Sequence, residues 1–101
     1  MKMVVRTQPF DPAQYLDDDK AIAAYMSEAL ETGDVSFIAD ALGVVARAKG
    51  MAQIAGETSL SRESLYRALS SEGNPEFATV LGVMKALGLR LTASPIDSAK
   101  A

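Results

Sequence analysis

The sequence predicts a small all-α domain of five helices, and three observations carry that expectation. Apolar residues recur at the helical period along most of the chain. Capping residues and glycines punctuate the runs. The links between them are short, with no internal repeat, low-complexity tract or long linker. At 101 residues and 49% hydrophobic content, the chain can bury one core and build one domain, residues 1–101.

Taken in order, Asp11 followed by Pro12 offers an N-cap acceptor and a preset φ, so Asp11 to Leu16 reads as one or two helical turns. After Asp17-Asp18-Asp19, an apolar stripe at Ile22, Met26, Ala29 and Leu30 marks a helix that ends near Gly33. Asp34 caps the next segment, in which Phe37, Ile38, Ala41, Leu42 and Val45 repeat at helical spacing as far as Ala48, with Gly50 as the exit. Two short helices follow. Met51 to Thr58 turns Ile54 and Ala55 inward, and Ser61 to Leu69 turns Leu65, Ala68 and Leu69 inward, with Ser61 as its cap. Pro75 opens the last helix, whose stripe is Phe77, Val80, Leu81, Met84 and Leu87 and whose end is Gly88. Leu89-Arg90-Leu91-Thr92 alternates and offers one short C-terminal strand. Residues 93–101 read as a disordered tail. An N-terminal extension, residues 1–33, thus precedes a core spanning 34–92.

Composition removes most chemistry. The sequence holds no Cys and no His, which excludes disulfides, zinc fingers, thiol nucleophiles and His-based triads. The remaining acid and base groups are scattered, so the chain reads as non-enzymatic, with no cofactor. Three successive aspartates at a helix start are explained by capping and by the macrodipole, so no metal is expected at Asp17–Asp19. Met26, Met51 and Met84 are core filler, and Tyr15 and Tyr25 are packing residues. No apolar run near the N-terminus suits a signal peptide or a membrane span, which points to the cytoplasm. Charge is unevenly placed. Residues 1–46 hold 3 basic and 8 acidic side chains, net −5, and residues 47–101 hold 7 basic and 5 acidic, net +2. Because screening leaves only local fields, the first half suits a cationic partner and the second can approach phosphates.

Two helices joined by only Ser59 and Leu60 cannot reverse the chain and must cross steeply, which is helix-turn-helix geometry. Ala55 is small where the helices meet, while Ile54, Leu60 and Leu65 supply the buried wedge. Ser59 stands where such turns usually place glycine, at a strain of about 1 kcal/mol if its φ is positive. On the outward face of the second helix, Arg62, Glu63 and Arg67 have the chemistry for base edges. Arg forks onto guanine and Glu accepts from cytosine. Ser61, Ser64 and Tyr66 would support them, and Arg47, Lys49, Gln53, Ser71 and Asn74 would hold phosphates. The competing explanation is a solvated helix face on which Glu63 and Arg67 form an i, i+4 pair.

The runs Phe10-Asp11-Pro12, Tyr15-Leu16, Ala41-Leu42-Gly43, Ala46 to Met51, Leu60-Ser61-Arg62-Glu63-Ser64-Leu65-Tyr66, Gly73-Asn74-Pro75 and Ala86-Leu87-Gly88-Leu89 resemble the probable addiction-module antidote proteins. These are HigA-like antitoxins of the Xre/Cro helix-turn-helix superfamily. The resemblance implies a lambda-repressor-like, Cro-type domain. It also implies an antitoxin that binds a small basic toxin of the RelE/HigB type and represses its own operon from double-stranded operator DNA. Arg62, Glu63 and Arg67 are then the base readers. A homodimer is expected, because one module covers only about 600–1,000 Å² of DNA while two half-sites about 34 Å apart add affinity and palindromic specificity. Leu89 to Thr92 or the N-terminal helices would form its surface. The rival readings are a prophage repressor of Cro type with no toxin partner and a protein-interaction adaptor whose helix pair does not touch DNA.

Overall fold

The computed structural model describes residue 16 and residues 18–96. Its helices are α1 (Asp19–Glu31), α2 (Val35–Lys49), α3 (Met51–Thr58), α4 (Arg62–Ala68) and α5 (Phe77–Ala86), and no strand occurs among the described residues. The helical turn expected over Asp11 to Leu16 lies outside them except for Leu16, which is buried in the core cluster.

Local hydrogen bonding sets the first boundaries. The Asp18 carboxylate accepts from the Ala21 N–H at 2.7 Å and starts α1. At the far end the Thr32 hydroxyl donates to the Ala29 carbonyl at 2.7 Å and accepts from the Asp34 N–H at 3.1 Å. Asp34 then accepts from the Phe37 N–H at 3.2 Å to start α2, so one compact corner both ends a helix and begins the next. Gly50 links α2 to α3 at φ 118°, a conformation that side chains with a Cβ rarely adopt.

The core is organised around α2. Positions 41 to 46 are all buried, so the middle of this helix is covered on every side, while its first turns, with Phe37 and Asp40, and Arg47 near its end stay exposed. It packs against α1, α3 and α4, and α5 lies against α3. Fully buried Met26, Leu42, Val45, Ile54, Leu65, Val83 and Leu87 fill the space between. Gly43 lets α2 approach the end of α4, since a Cβ there would collide with the Leu69 carbonyl.

The structure corrects several expectations. The last helix begins at Phe77, with Glu76 in the N-cap position and Pro75 before it. Phe77 is 67% exposed and Leu81 43%, whereas Val83 is fully buried. A 3.6-residue period fits two stripes that share Val80, Met84 and Leu87, and contact with α3 selects the one completed by Val83. Phe37 is 50% exposed for a similar reason, lying in the first turn of α2 ahead of the buried run. Leu30 is likewise 37% exposed. Leu89 to Thr92 does alternate, with the leucines half-buried and Arg90 and Thr92 exposed. It forms no strand, because no segment among the described residues offers it a ladder. Residues 93–96 run without regular structure, and the rest of the expected tail, 97–101, lies outside the described residues.

Ser59 adopts φ 63°, ψ 21°, and is the only non-glycine with positive φ among the described residues. Ser59→Gly is therefore expected to raise stability by about 0.5–1 kcal/mol. Gly43→Ala should lower it by about 1–3 kcal/mol, by forcing α2 and α4 apart. Urea unfolding followed by far-UV circular dichroism measures both.

Candidate nucleic-acid interface

The candidate interface is built on α4. Its start is fixed by Ser61, whose hydroxyl accepts from the Ser64 N–H at 3.0 Å and donates to the Ser64 hydroxyl at 3.0 Å. Both serines thus serve the cap, which accounts for their presence without any ligand. The helix has only seven residues and is held from beneath, where Leu65 is fully buried and Leu69 is 4% exposed. With one face so anchored, the 100° step per residue turns Arg62, Glu63, Tyr66 and Arg67 outward. All four are exposed, Tyr66 at 47%. Among the described residues Arg62, Glu63 and Arg67 make no ion pair, so the Glu63–Arg67 pairing that would explain them as surface decoration is not formed.

The loop after α4 turns back onto its end. The Ser70 hydroxyl donates to the Arg67 carbonyl at 3.1 Å. A Cβ on Gly73 would strike the Ala68 carbonyl, so the backbone passes very close there. Ser71 and Asn74 are exposed on this loop, which keeps them at the C-terminal end of α4.

The other expected phosphate contacts are less closely tied to α4. Arg47 is exposed in the last turn of α2. Lys49 faces Asp19 across a 3.7 Å ion pair, with its side chain 31% exposed. From Gly43, where α2 meets α4, these two residues lie about 6–9 Å further along the α2 axis. Gln53 donates to the Glu57 carboxylate at 3.3 Å along α3. The structure therefore groups Ser61, Arg62, Glu63, Ser64, Tyr66 and Arg67 on one short helix. It gives Gln53 an acidic neighbour one helical turn away and Lys49 one that sequence spacing does not disclose, since Asp19 is 30 positions away.

Comparison with known proteins adds the family. The family model described as "Probable addiction module antidote protein" matches residues 6–95. An uncharacterized protein of Haemophilus influenzae (strain Rd) is 47% identical over 88 residues, covering 87% of this chain and 91% of that one. No solved structure matches the chain.

Ser61→Ala should cost about 1 kcal/mol through loss of the cap, and Ser61→Gly only a few tenths. Thermal unfolding of the two variants beside the unaltered chain measures the difference.

Proposed function

This chain belongs to the family of probable addiction module antidote proteins, and from that premise we propose that it is a non-enzymatic antitoxin that binds operator DNA through α4. In this reading it neutralises a small basic toxin of the RelE/HigB type in the cytoplasm and represses its own operon. The observation that carries the DNA-binding reading is the state of Arg62 and Arg67. Both guanidinium groups are exposed on one face of α4 and unengaged in ion pairs among the described residues. A cation already neutralised by a neighbouring carboxylate would have to lose that partner before meeting DNA; these two do not. Glu63 and Tyr66 share the face, and α3 with the Ser59–Ser61 connection forms the first part of a helix-turn-helix in the Cro-type sense.

Placing α4 in a major groove lets Arg62 and Arg67 fork onto guanine and Glu63 accept from cytosine. Arg47, Lys49, Ser71 and Asn74 would contact phosphates and set register. Lys49 does so only by exchanging the Asp19 carboxylate for a phosphate, a small cost for an exposed pair. Two copies on a palindromic site supply the remaining affinity. For the toxin, the relevant feature is the opposite charge. Residues 21–46 contain Glu28, Glu31, Asp34 and Asp40 and no Lys or Arg, and all four acids are exposed. A cationic partner is steered to such a surface.

Mobility shift on the DNA flanking the gene, at several salt concentrations, tests the reading. Binding should weaken steeply with salt. Arg67→Ala should cost about 1–3 kcal/mol on the specific site and relax preference at one base pair, whereas Lys49→Ala should weaken all sequences alike. Equal losses for Arg67→Ala on specific and random duplex, or no binding at all, would overturn the base-reading role.

A further inference from the structure

A cleft of about 240 Å³ lies between the C-terminal half of α1 and the segment that follows α5, lined by Leu30, Glu31, Met84, Arg90, Leu91 and Thr92 among others. Three features of its walls are left incomplete within one chain. Leu89 and Leu91 pack against the core and hold the segment in place, yet no backbone hydrogen bond joins residues 90–96 to the described chain. Glu31 and Arg90 face the same cleft with opposite charges, and neither makes an ion pair among the described residues. Leu30 is 37% exposed at the cleft, and Ile96 is 89% exposed just beyond it.

We propose that this cleft is where two copies of the chain join about a two-fold axis. The 90–96 segment of each runs antiparallel to that of the other, and Glu31 of each pairs with Arg90 of the other. The inference rests on the two-copy reading given above and assigns it a surface. A two-fold interface brings a patch against itself, so a patch of one sign repels, whereas one carrying a carboxylate and a guanidinium is complementary to its own rotated copy. A row of unpaired N–H and C=O groups is a template for another extended segment. Pairing 90–96 with its own copy puts Ala93 on the axis and sets each Arg90 opposite Ile96, Leu91 opposite Pro95 and Thr92 opposite Ser94, which keeps the two Arg90 side chains apart and avoids like charges across the ladder. Ile96 gains cover in the same step. The face uses α1 and the chain after α5, so α4 stays exposed in both copies.

Charge exchange with subunit mixing tests this. Sedimentation equilibrium of the full chain should show a dimer, and Arg90→Glu and Glu31→Arg should each weaken it about tenfold or more by placing like charges in contact. Both positions are on the surface, and unchanged circular dichroism checks that the variants remain folded. Mixed in equal amounts, the two variants should recover the dimer, because each then offers the other two opposite-sign pairs. Recovery on mixing cannot arise from a Glu31–Arg90 contact within one chain. A mixture that stays monomeric overturns the crossed pairing. Variants that dimerise as well as the unaltered chain overturn this face while leaving the two-copy reading intact, and a monomeric unaltered chain overturns both. DNA reading by α4 is measured separately by the mobility shift.

Discussion

A helix of seven residues does not persist in water by its own hydrogen bonds, because nucleating the first turn costs more than so few bonds return. α4 therefore depends on what lies beneath it. Leu65 is wholly buried and Leu69 nearly so, and α2 can come close enough to cover them only because position 43 has no side chain. The Ser61 cap fixes where the helix begins, and the close pass of Gly73 fixes where it ends. Its outward face is consequently fixed relative to the core, which the proposed reading of base edges would require. Removing any of these supports would leave the arginines present but poorly aimed.

The same arrangement separates two electrostatic surfaces in a chain of modest net charge. Between Lys20 and Arg47 there is no basic residue, and the acids of this stretch sit on α1, on α2 and at the corner between them. Bases return in the second half, where Arg62 and Arg67 project from α4. Fields of opposite sign on one small body survive because screening at physiological salt acts over about 8 Å. The net value, −3, describes neither surface. The function proposed above draws on both signs, the basic residues for DNA and the acidic ones for a cationic toxin.

Exposed apolar side chains give a second view of what the fold leaves open. Phe37, Phe77 and Leu81 lie on helical stripes that a period count assigns to the interior, yet each is substantially exposed. The period identifies a helix reliably. It is less able to choose between two stripes separated by a rotation of less than a turn, since Val80, Met84 and Leu87 belong to both. Contact with α3 made that choice for α5. The segment after α5 shows the complementary case: its alternation is genuine, but a strand is a relation between two segments and one alone forms no ladder.

Residues close in sequence determined a large share of this protein. The caps at Asp34 and Ser61, the positive φ at Ser59, the succession of helices and the inward or outward sense of α4 all depend on interactions within about four positions, which a linear reading can follow. The resemblance of motifs to the antidote family was legible at the same level. What only the tertiary structure decided depends on distant partners. These are the burial of the middle of α2 on every side, the selection of Val83 over Leu81, the engagement of Lys49 by Asp19, and the placing of Glu31 and Arg90 on the walls of one cleft. No local pattern encodes these pairings, because each arises when separate helices compete to remove apolar surface from water, and the packing that wins brings together residues that lie far apart along the chain.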